Sequence, residues 1–303
     1  TSVGGDRGYG TFIYHNSDDN LIIDNIYDHV HNACVSESSC CGNVVAYNLC
    51  PTTYYIPYTW MMEAFGPHAP HAYMNLYEGN VAAKMFSDYY FGSNSHITWA
   101  RNCMSLKNED TAIQSQHEQA IEACEIMAWN RYENVVGNVI GHASYATTYP
   151  SSSGFVCAKE QTPAGSYPFY NQDHHPTGYM IGSPASSGAF DSTTVSTIIR
   201  HGNYDYFSGV TEGDGTITDH DIPDSYFLDS KPEWFGNLDY PAIGPDVDGY
   251  VKNIPAQTRW NNYKSSGNIA DLFADIPSSG GGVILVVADG SNLHVADGVS
   301  LGI

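Results

Sequence analysis

Short apolar runs flanked by asparagine recur along the chain. The phrase Asn-apolar-apolar-x-x-Asn fills residues 20–25, 43–48 and 75–80, and looser copies end at Asn102, Asn138 and Asn203. Each run has strand length, and the shortest steps between copies are 22 and 23 residues. A repeat of this period predicts a stack in which every turn of chain carries several short strands. Parallel strands in such a stack lie about 4.8 Å apart.

The repeat predicts an all-β chain folded as a right-handed parallel β-helix, a solenoid with loop insertions and a C-terminal β extension. Longer steps between copies indicate insertions at 51–72, 104–130 and 142–195. Within the second insertion, residues 111–129 fit either a short helix or a further turn of strands. An asparagine at one place in every turn is able to donate to one neighbouring turn and accept from the other. The ladder residues are Asn25, Asn48, Asn80, Asn102, Asn138 and Asn203.

The two-residue period of a strand assigns the faces of each copy if the ladder asparagine points inward. Positions two and four before the asparagine are then interior and mostly aliphatic, as in Leu21 and Ile23. Positions one and three before it are then exterior. They form a mixed aromatic and charged stripe made of Asp24, Tyr47, Tyr77, Trp99, Arg101 and Arg200.

The pattern changes after the last copy, which suggests three regions. Residues 1–221 are predicted to form the β-helix, and residues 222–260, rich in proline, to form an extended segment that caps or packs along it. Residues 261–303 contain the run Val283–Val287 and two Val-Ala-Asp-Gly phrases. These phrases predict a C-terminal hairpin, or one strand that exchanges with a second copy of the chain.

The net charge and the hydropathy of the chain argue against two classes of partner, nucleic acids and membranes. The chain has 33 acidic and 11 basic residues, a formal charge of −22, which disfavours phosphate backbones and anionic membranes. No apolar run approaches the ~20 residues that a membrane helix requires. No signal peptide is visible, although Thr1 as the first residue implies an upstream segment that was either removed or left out of this sequence. The acidic, Tyr-rich and Gly-rich composition favours an extracellular protein of a cell or virion surface.

Seven cysteines leave at least one thiol unpaired. Four of them lie between Cys34 and Cys50, and the adjacent pair Cys40 and Cys41 has a poor geometry for two ligands of one zinc ion. We expect buried, small apolar side chains, with one or two disulfide bonds at most.

The whole pattern resembles the right-handed parallel β-helix repeat proteins of the pectin-lyase-like superfamily, in particular a secreted bacterial branch of unassigned activity. The resemblance covers about residues 8–260. It rests on segments such as 42–48, 71–80, 95–102, 134–139, 199–205 and 225–236. It implies the fold and a polysaccharide partner, and implies no particular activity. Members of the family normally carry further turns upstream of the position where the first turn of this chain begins.

The strongest catalytic constellation comes from two consecutive turns and the insertion before them. Its members are His68, His71, Glu78, Asp88, His96 and Arg101. Stacking is expected to bring Glu78 and Arg101 within about 5 to 10 Å. A histidine or arginine beside an acid is suited to take a proton from a uronic acid or to protonate a glycosidic oxygen. The alternative is an internal Glu78–Arg101 ion pair that seats an insertion.

Aromatic residues suggest a surface for sugar rings. Tyr47, Tyr77 and Trp99 follow the exterior stripe, and Trp60 is nearby in sequence. Either these rings stack on a glycan, or the loop insertions cover them and they form a satellite core.

An acidic turn at 212–221 partly resembles a calcium loop, with Glu212, Asp214 and Asp221 at ligand spacings. Val210 occupies the place of the first carboxylate, so a solvated acidic turn is the alternative. No cofactor is required, and Ca²⁺ is the one candidate.

Together these features predict an extracellular β-helix protein that recognises a polysaccharide, with cleavage by a lyase or hydrolase mechanism as a further step. The alternative is a structural component of a cell surface, a filament or a phage fibre or tailspike, assembled as a homo-oligomer through the C-terminal strand. Neither nucleic acid nor membrane insertion is expected.

Overall fold

Three sheets of mainly parallel strands make up most of the described chain. The computed structural model describes residues 8–56, 58–68, 70–144, 176–183 and 190–274, and the backbone of 158–161, 285–288 and 292–295. The predominantly β character and the stacking of parallel strands are confirmed.

The strands are numbered in chain order and belong to three sheets. Sheet A contains, in spatial order, β1 (Tyr9–Ile13), β4 (Asn32–Ser36), β7 (Phe65–Pro67), β10 (Met85–Ser87), β13 (Glu122–Ile126), β17 (Thr177–Ile181) and β16 (Ala158–Gln161). Sheet B contains β18 (Ile199–His201), β14 (Asn134–Val136), β11 (Thr98–Ala100), β8 (Leu76–Glu78), β5 (Val44–Ala46) and β2 (Leu21–Ile23). Sheet C contains β20 (Val210–Glu212), β19 (Asn203–Asp205), β15 (Val139–Ile140), β12 (Cys103–Met104), β9 (Val81–Ala82), β6 (Leu49–Thr53), β3 (Ile26–Val30), β21 (Leu285–Ala288) and β22 (Asn292–Val295).

The chain visits the sheets in a fixed order, from B to C to A and back to B. Successive visits place parallel strands side by side, so that Val45 pairs with Tyr77, Tyr77 with Trp99 and Trp99 with Val135. The last visit to sheet A adds two strands, β17 beside β13 and β16 beyond β17. This order is compatible with the expected β-helix. Sheet C departs from pure parallel pairing at its two ends, where β20 pairs with β19 and β22 pairs with β21 in the antiparallel sense.

Helices are few and short in the described part of the chain. They are α1 (Thr111–Gln114), α2 (Ser192–Thr197) and α3 (Pro255–Ser266), with 3₁₀ turns at Glu233–Phe235 and Ile269–Phe273. Helix α3 was not predicted, and it crosses the boundary that the sequence placed at residue 260. Proline at its first position and a left-handed Gly267 (φ 69°) after its last turn define its ends.

The predicted insertions are only partly insertions. The segments 51–72 and 104–130 each contain one strand of sheet A, β7 and β13, and the segment 142–195 contains two, β16 and β17. A turn of three strands must return through sheet A before it reaches sheet B again, and the asparagine phrase marks only sheets B and C. Residues 111–129 combine both alternatives, a four-residue helix and then β13.

Asparagine side chains form one hydrogen-bonded column through the stack. In this column the backbone N and Nδ2 of each asparagine donate to Oδ1 of the next, at 3.0 Å and 3.0 Å from Asn80 to Asn102. Nδ2 of Asn80 also donates to the carbonyl of Val45 in the preceding turn, at 2.8 Å. The column runs through Asn25, Asn48, Asn80, Asn102, Asn138 and Asn203. A second column, made of Asn20, Asn43 and Asn75, was not predicted.

The assignment of faces from the sequence was wrong, for a backbone reason. The residue before every asparagine of the long column has a positive φ, between 49° at Arg101 and 66° at Gly137. This left-handed residue breaks the two-residue alternation just before the asparagine. Side chains three positions before the asparagine therefore point into the interior. Four of the six residues at this place are glycine or aspartate, which tolerate a positive φ, and they could have indicated the left-handed backbone from the sequence. They are Asp24, Gly79, Gly137 and Gly202.

The interior cluster draws residues from all three sheets. Val45, Tyr77 and Trp99 of sheet B pack with Phe65 and Met85 of sheet A, together with residues of sheet C. Tyr77 and Trp99 are stacked, with ring centroids 4.4 Å apart and an interplanar angle of 16°. The hydrophobic core therefore lies between the sheets.

A second cluster lies on the opposite face of sheets B and C. There Ala46, Tyr47 and Leu49 pack against apolar residues from the later part of the chain, which are Phe235, Ala242, Ile243, Ile254, Ala256, Trp260 and Leu272. We call residues 222–274 the covering segment. Buried Arg259 joins α3 to the first turn through Asp24, with Nη1 and Oδ2 2.8 Å apart.

Five of the six cysteines in the described residues are buried, and none of the six forms a disulfide bond. Cys157 lies outside the described residues. The thiols therefore serve as small core side chains, and burial raises the pKa of Cys34 and of Cys103 to about 12.

Glu133 is a fully buried carboxyl group beside the stacked rings. Its carboxylate accepts hydrogen bonds from Ser87 Oγ at 2.6 Å and from Trp99 Nε1 at 2.9 Å. Burial nevertheless raises its pKa to about 7. Because an unfolded glutamate ionises near pH 4.5, the folded state binds more protons between that pH and about 7. Glu133 therefore makes the protein less stable as the pH rises through this window.

Between pH 5 and 8, we expect the free energy of unfolding to fall by about 2 to 3 kcal/mol less in Glu133→Gln than in the unmodified protein, because an amide does not ionise. Chemical denaturation of both proteins at the two pH values measures this difference. The shifts of other buried acids remain in both proteins and cancel in the comparison. Glu118→Gln, at an exposed position, is the control. An unchanged pH dependence in Glu133→Gln would contradict the expectation.

Candidate functional site

Glu78, the central acid of the predicted catalytic group, is fully buried beneath the covering segment. Its carboxylate accepts hydrogen bonds from Tyr47 Oη at 2.9 Å, Ser225 Oγ at 2.5 Å and the Tyr226 backbone N at 2.7 Å. Burial raises the pKa of Glu78, although these hydrogen bonds oppose the rise. The carboxyl group therefore anchors the covering segment to sheet B and faces no open groove.

Arg101 anchors the same segment, which corrects its assignment to a catalytic site. Its guanidinium donates to the carbonyls of Pro223 and Ile243, at 2.7 and 3.0 Å. It also binds both carboxylate oxygens of Asp246, at 2.8 Å each. The alternative hypothesis, an ion pair that seats an insertion, was nearer to the structure. The partners of Arg101, however, come from the covering segment and not from Glu78.

The predicted histidines lie apart from these two residues. His71 and His96 occupy exposed turn positions with positive φ, 66° and 54°. The ring of His96 lies 5.2 Å from that of Tyr132. Of the predicted catalytic group, His68 and Asp88 line a cavity.

The predicted aromatic stripe is buried, so its role as an open sugar platform was wrong. Tyr77 and Trp99 are interior, with 0% and 1% of their surfaces exposed. Tyr47, which is 3% exposed, contacts Trp234 and Phe235 of the covering segment at centroid distances of 5.4 and 5.2 Å. The left-handed residue described above places these rings on the faces that are covered. Trp60 lines a cavity.

The three predicted ligands of the acidic turn are not gathered into one group in the structure. The carboxylate of Asp214 accepts hydrogen bonds from the backbone N and Oγ1 of Thr216 at 2.8 and 2.6 Å, and Glu212 ends strand β20. Asp221 is exposed. Across the described ranges there is no group of three or more His, Cys, Asp or Glu side chains arranged to hold a metal ion. The solvated acidic turn is the better description.

A cavity of about 330 Å³ lies on the outer face of sheet A. Met85 points into the interior cluster, so strand alternation places Phe86 on the outer face, in the cavity wall. Aromatic rings dominate the wall, namely Tyr9, Tyr55, Trp60, Phe86 and Tyr90. The other lining residues are His31, Asn32, Met62, Glu63, His68, Asp88 and Met127. We call this space the outer cavity.

His68 and Asp88 form a hydrogen-bonded acid–base pair in the outer cavity, with Nδ1 and Oδ2 2.5 Å apart. Burial alone lowers the pKa of His68, but the Asp88 carboxylate and then the charges of Glu37 and Glu63 outweigh burial and raise it. Burial raises the pKa of Asp88, against the opposing effect of His68. The pair therefore still holds a transferable proton at pH values at which an ordinary carboxyl group has already lost its own.

A buried charge cluster lies directly behind the outer cavity. The ammonium group of Lys84 contacts Glu63 at 3.1 Å, Glu122 at 2.9 Å and Glu125 at 2.7 Å. Burial raises the pKa of Glu122 and of Glu125, since one cation serves three carboxylates. Glu63 connects this cluster to the cavity wall.

Exposed aromatic residues continue from the mouth of the cavity. The ring of His68 lies 5.4 Å from that of Phe91, which is 62% exposed. Trp129, 55% exposed, belongs to the next turn, and its ring centroid lies 4.5 Å from that of Tyr89. The prediction from sequence did not include Phe91 or Trp129. Their position, just after strands β10 and β13 at one corner of the stack, was the signal that linked them to Asp88.

Comparison with families of known proteins finds no family model that matches this chain, no match among curated proteins and no match among solved structures. Among the described residues, no helix combines the length and the apolar character that crossing a bilayer requires.

Proposed function

We propose that this chain is a right-handed parallel β-helix of the pectin-lyase-like kind that binds an extracellular polysaccharide in the outer cavity. One observation carries the proposal: the cavity combines aromatic rings with carboxylates and histidines on the outer face of a parallel sheet. Aromatic faces stack on the C–H faces of sugar rings, and the polar groups pair with hydroxyl groups.

The path of the chain supports the fold part of the proposal. Three strands recur in the order B, C, A, and each pairs in parallel with its equivalent in the previous turn. Connections between parallel strands are right-handed in nearly all known folds. The strongly acidic composition supports an extracellular setting.

Cleavage of the bound glycan is the chemical extension of the proposal. A general acid must give a proton to the leaving oxygen, and a base must activate water or remove a sugar proton. The His68–Asp88 pair supplies an exchangeable proton, and Glu63 is a second carboxylate in the same wall. Under this proposal His68 and Asp88 move the proton, and Trp60 positions the sugar.

Trp60→Ala is expected to weaken glycan binding by about tenfold, because one stacking face is lost. Isothermal titration calorimetry with a panel of neutral and acidic oligosaccharides identifies the ligand and measures the change. Tyr226→Ala is the matched control, since Tyr226 is 44% exposed and contacts Glu78 only through its backbone N–H. Equal affinity of Trp60→Ala and the unmodified protein for every ligand would count against the outer cavity.

The same panel tests cleavage. New reducing ends report hydrolysis, and new ultraviolet absorbance reports elimination. His68→Gln is expected to abolish product formation while Tyr226→Ala leaves it unchanged. Binding without any product would limit the function to recognition, and the absence of both binding and product across the panel would overturn the proposal.

A further inference from the structure

The charges around the outer cavity are arranged against an acidic ligand. Glu63 and Asp88 are in its wall, and no lysine or arginine is among the described residues that line it. Lys84, the basic group that contacts Glu63 of the wall, is fully buried and already contacts three carboxylates. A sugar carboxylate placed in this cavity would therefore meet like charges without a cationic partner.

The protonation of His68 is another consequence of the negative electrostatic potential in the outer cavity. The charges of Asp88, Glu37 and Glu63 all favour its protonated form. A protonated His68 is already matched by Asp88 in a direct hydrogen bond. It is therefore not available as the separate counter-ion that a uronic acid would need.

The polar groups that remain suit hydroxyl groups. Asn32 offers an amide whose Nδ2 donates to the carbonyl of Glu63 at 2.7 Å, and Glu63 and Asp88 offer acceptor oxygens. Neutral pyranose rings present many hydroxyl donors and apolar faces, which match acceptors and aromatic rings respectively. Carboxylates that accept from sugar hydroxyls make charge-assisted hydrogen bonds.

We infer that the outer cavity selects a neutral glycan and excludes uronic acids, an inference that rests on the proposed polysaccharide function. Selection comes from two sources, the aromatic wall that accepts any pyranose and the carboxylates that reject a charged one. Glu63 is the specificity-determining residue, because it joins the cavity wall to the negatively charged cluster behind it.

Matched pairs of oligosaccharides test the inference. Glucose, galactose and mannose oligomers are compared by calorimetry with the same oligomers oxidised to carboxylates at C6. For the oligomer that binds, the neutral form is expected to bind at least about tenfold more tightly than its oxidised form. Raising the salt from about 0.02 M to about 0.5 M is expected to narrow this difference, because screening weakens the repulsion.

Glu63→Gln separates the local effect from the general negative charge of the protein. It leaves Lys84 with Glu122 and Glu125, so the buried cation keeps its partners. In Glu63→Gln, the ratio of the affinity for the neutral oligomer to the affinity for its oxidised form is expected to fall by about threefold or more. Asp221→Asn removes one equal charge at an exposed position outside the cavity wall and is expected to leave the ratio unchanged.

The outcomes distinguish the two proposals. An acidic oligomer that binds as tightly as its neutral form, or more tightly, overturns the inference and leaves polysaccharide binding in place. An equal fall of the ratio in both variants also overturns it, because the effect would then come from net charge alone. Absence of binding to every oligomer overturns the proposed function itself.

Discussion

Replacing Arg101 with methionine is expected to lower the free energy of unfolding by about 2 to 4 kcal/mol, because its buried guanidinium group donates several hydrogen bonds that methionine cannot make. The ion pair itself adds little, since the Asp246 side chain is 48% exposed. The change leaves the Asp246 carboxylate and the carbonyls of Pro223 and Ile243 without their donor. Methionine preserves much of the apolar volume of the side chain, so the loss reports the polar contacts. Urea denaturation followed by circular dichroism measures it.

Lys252→Met is the control within the same segment. Lys252 pairs with Asp248 at 3.4 Å, and Asp248 is fully exposed. Exposed pairs of this kind contribute about 0 to 1 kcal/mol. Limited proteolysis adds a second readout, because the covering segment is expected to be cut in Arg101→Met before the sheets unfold. A loss of stability in Arg101→Met no larger than in Lys252→Met would show that Arg101 does not anchor the segment.

Lys84→Met is expected to produce a loss of similar size, about 3 to 5 kcal/mol at pH 8. It removes the cation shared by the buried carboxylates of Glu63, Glu122 and Glu125. The loss is expected to be smaller at pH 5, because carboxyl groups whose pKa is raised further by the missing cation become protonated and neutral. Denaturation at both pH values tests the size and the direction of the effect.

A double variant checks the cause. Adding Glu125→Gln to Lys84→Met removes one of the uncompensated charges and is expected to restore part of the stability at pH 8. Glu125→Gln alone is expected to have a small effect, since Lys84 keeps Glu63 and Glu122. Equal stability of Lys84→Met and the unmodified protein at pH 8 would be incompatible with the ammonium group as the centre of the cluster.

The stacking of strands was predictable because its signal is local. The asparagine phrases mark equivalent places in successive turns, and the side chains of Asn25, Asn48 and Asn80 meet in one column. The faces of the strands were less predictable. One left-handed residue before each asparagine reverses the alternation, and Tyr47 and Arg101 occupy this place without being typical left-handed residues.

The covering segment was predicted as an element, but its contacts were not. Arg101 and Asp246 are 145 positions apart in the chain, and no periodic pattern connects them. The sequence shows residue types but not their contacts. Glu78 and Arg101 therefore looked like catalytic groups, because a glutamate or arginine that anchors a segment is the same residue type as one in an active site. The helix α3 was more accessible to prediction, because Pro255 and Gly267 are ordinary signals of helix ends.

The outer cavity depends on contacts across several turns. Asp88 and Trp60 were selected from the sequence for separate reasons, and only the fold brings them together with Tyr9 and Met127. Sheet A carries no asparagine phrase, so the repeat gave no indication that its outer face is where these residues meet.

The asparagine column also constrains how the chain is able to change in length. An added turn fits between two existing ones only if it carries an asparagine at the same place, whose Oδ1 accepts from one neighbour and whose Nδ2 donates to the other. It must also tolerate a left-handed residue just before that asparagine. Gene duplication of whole turns satisfies both conditions at once, whereas an insertion of a few residues within the phrase satisfies neither. Growth in whole turns is therefore the expected evolutionary route for this architecture.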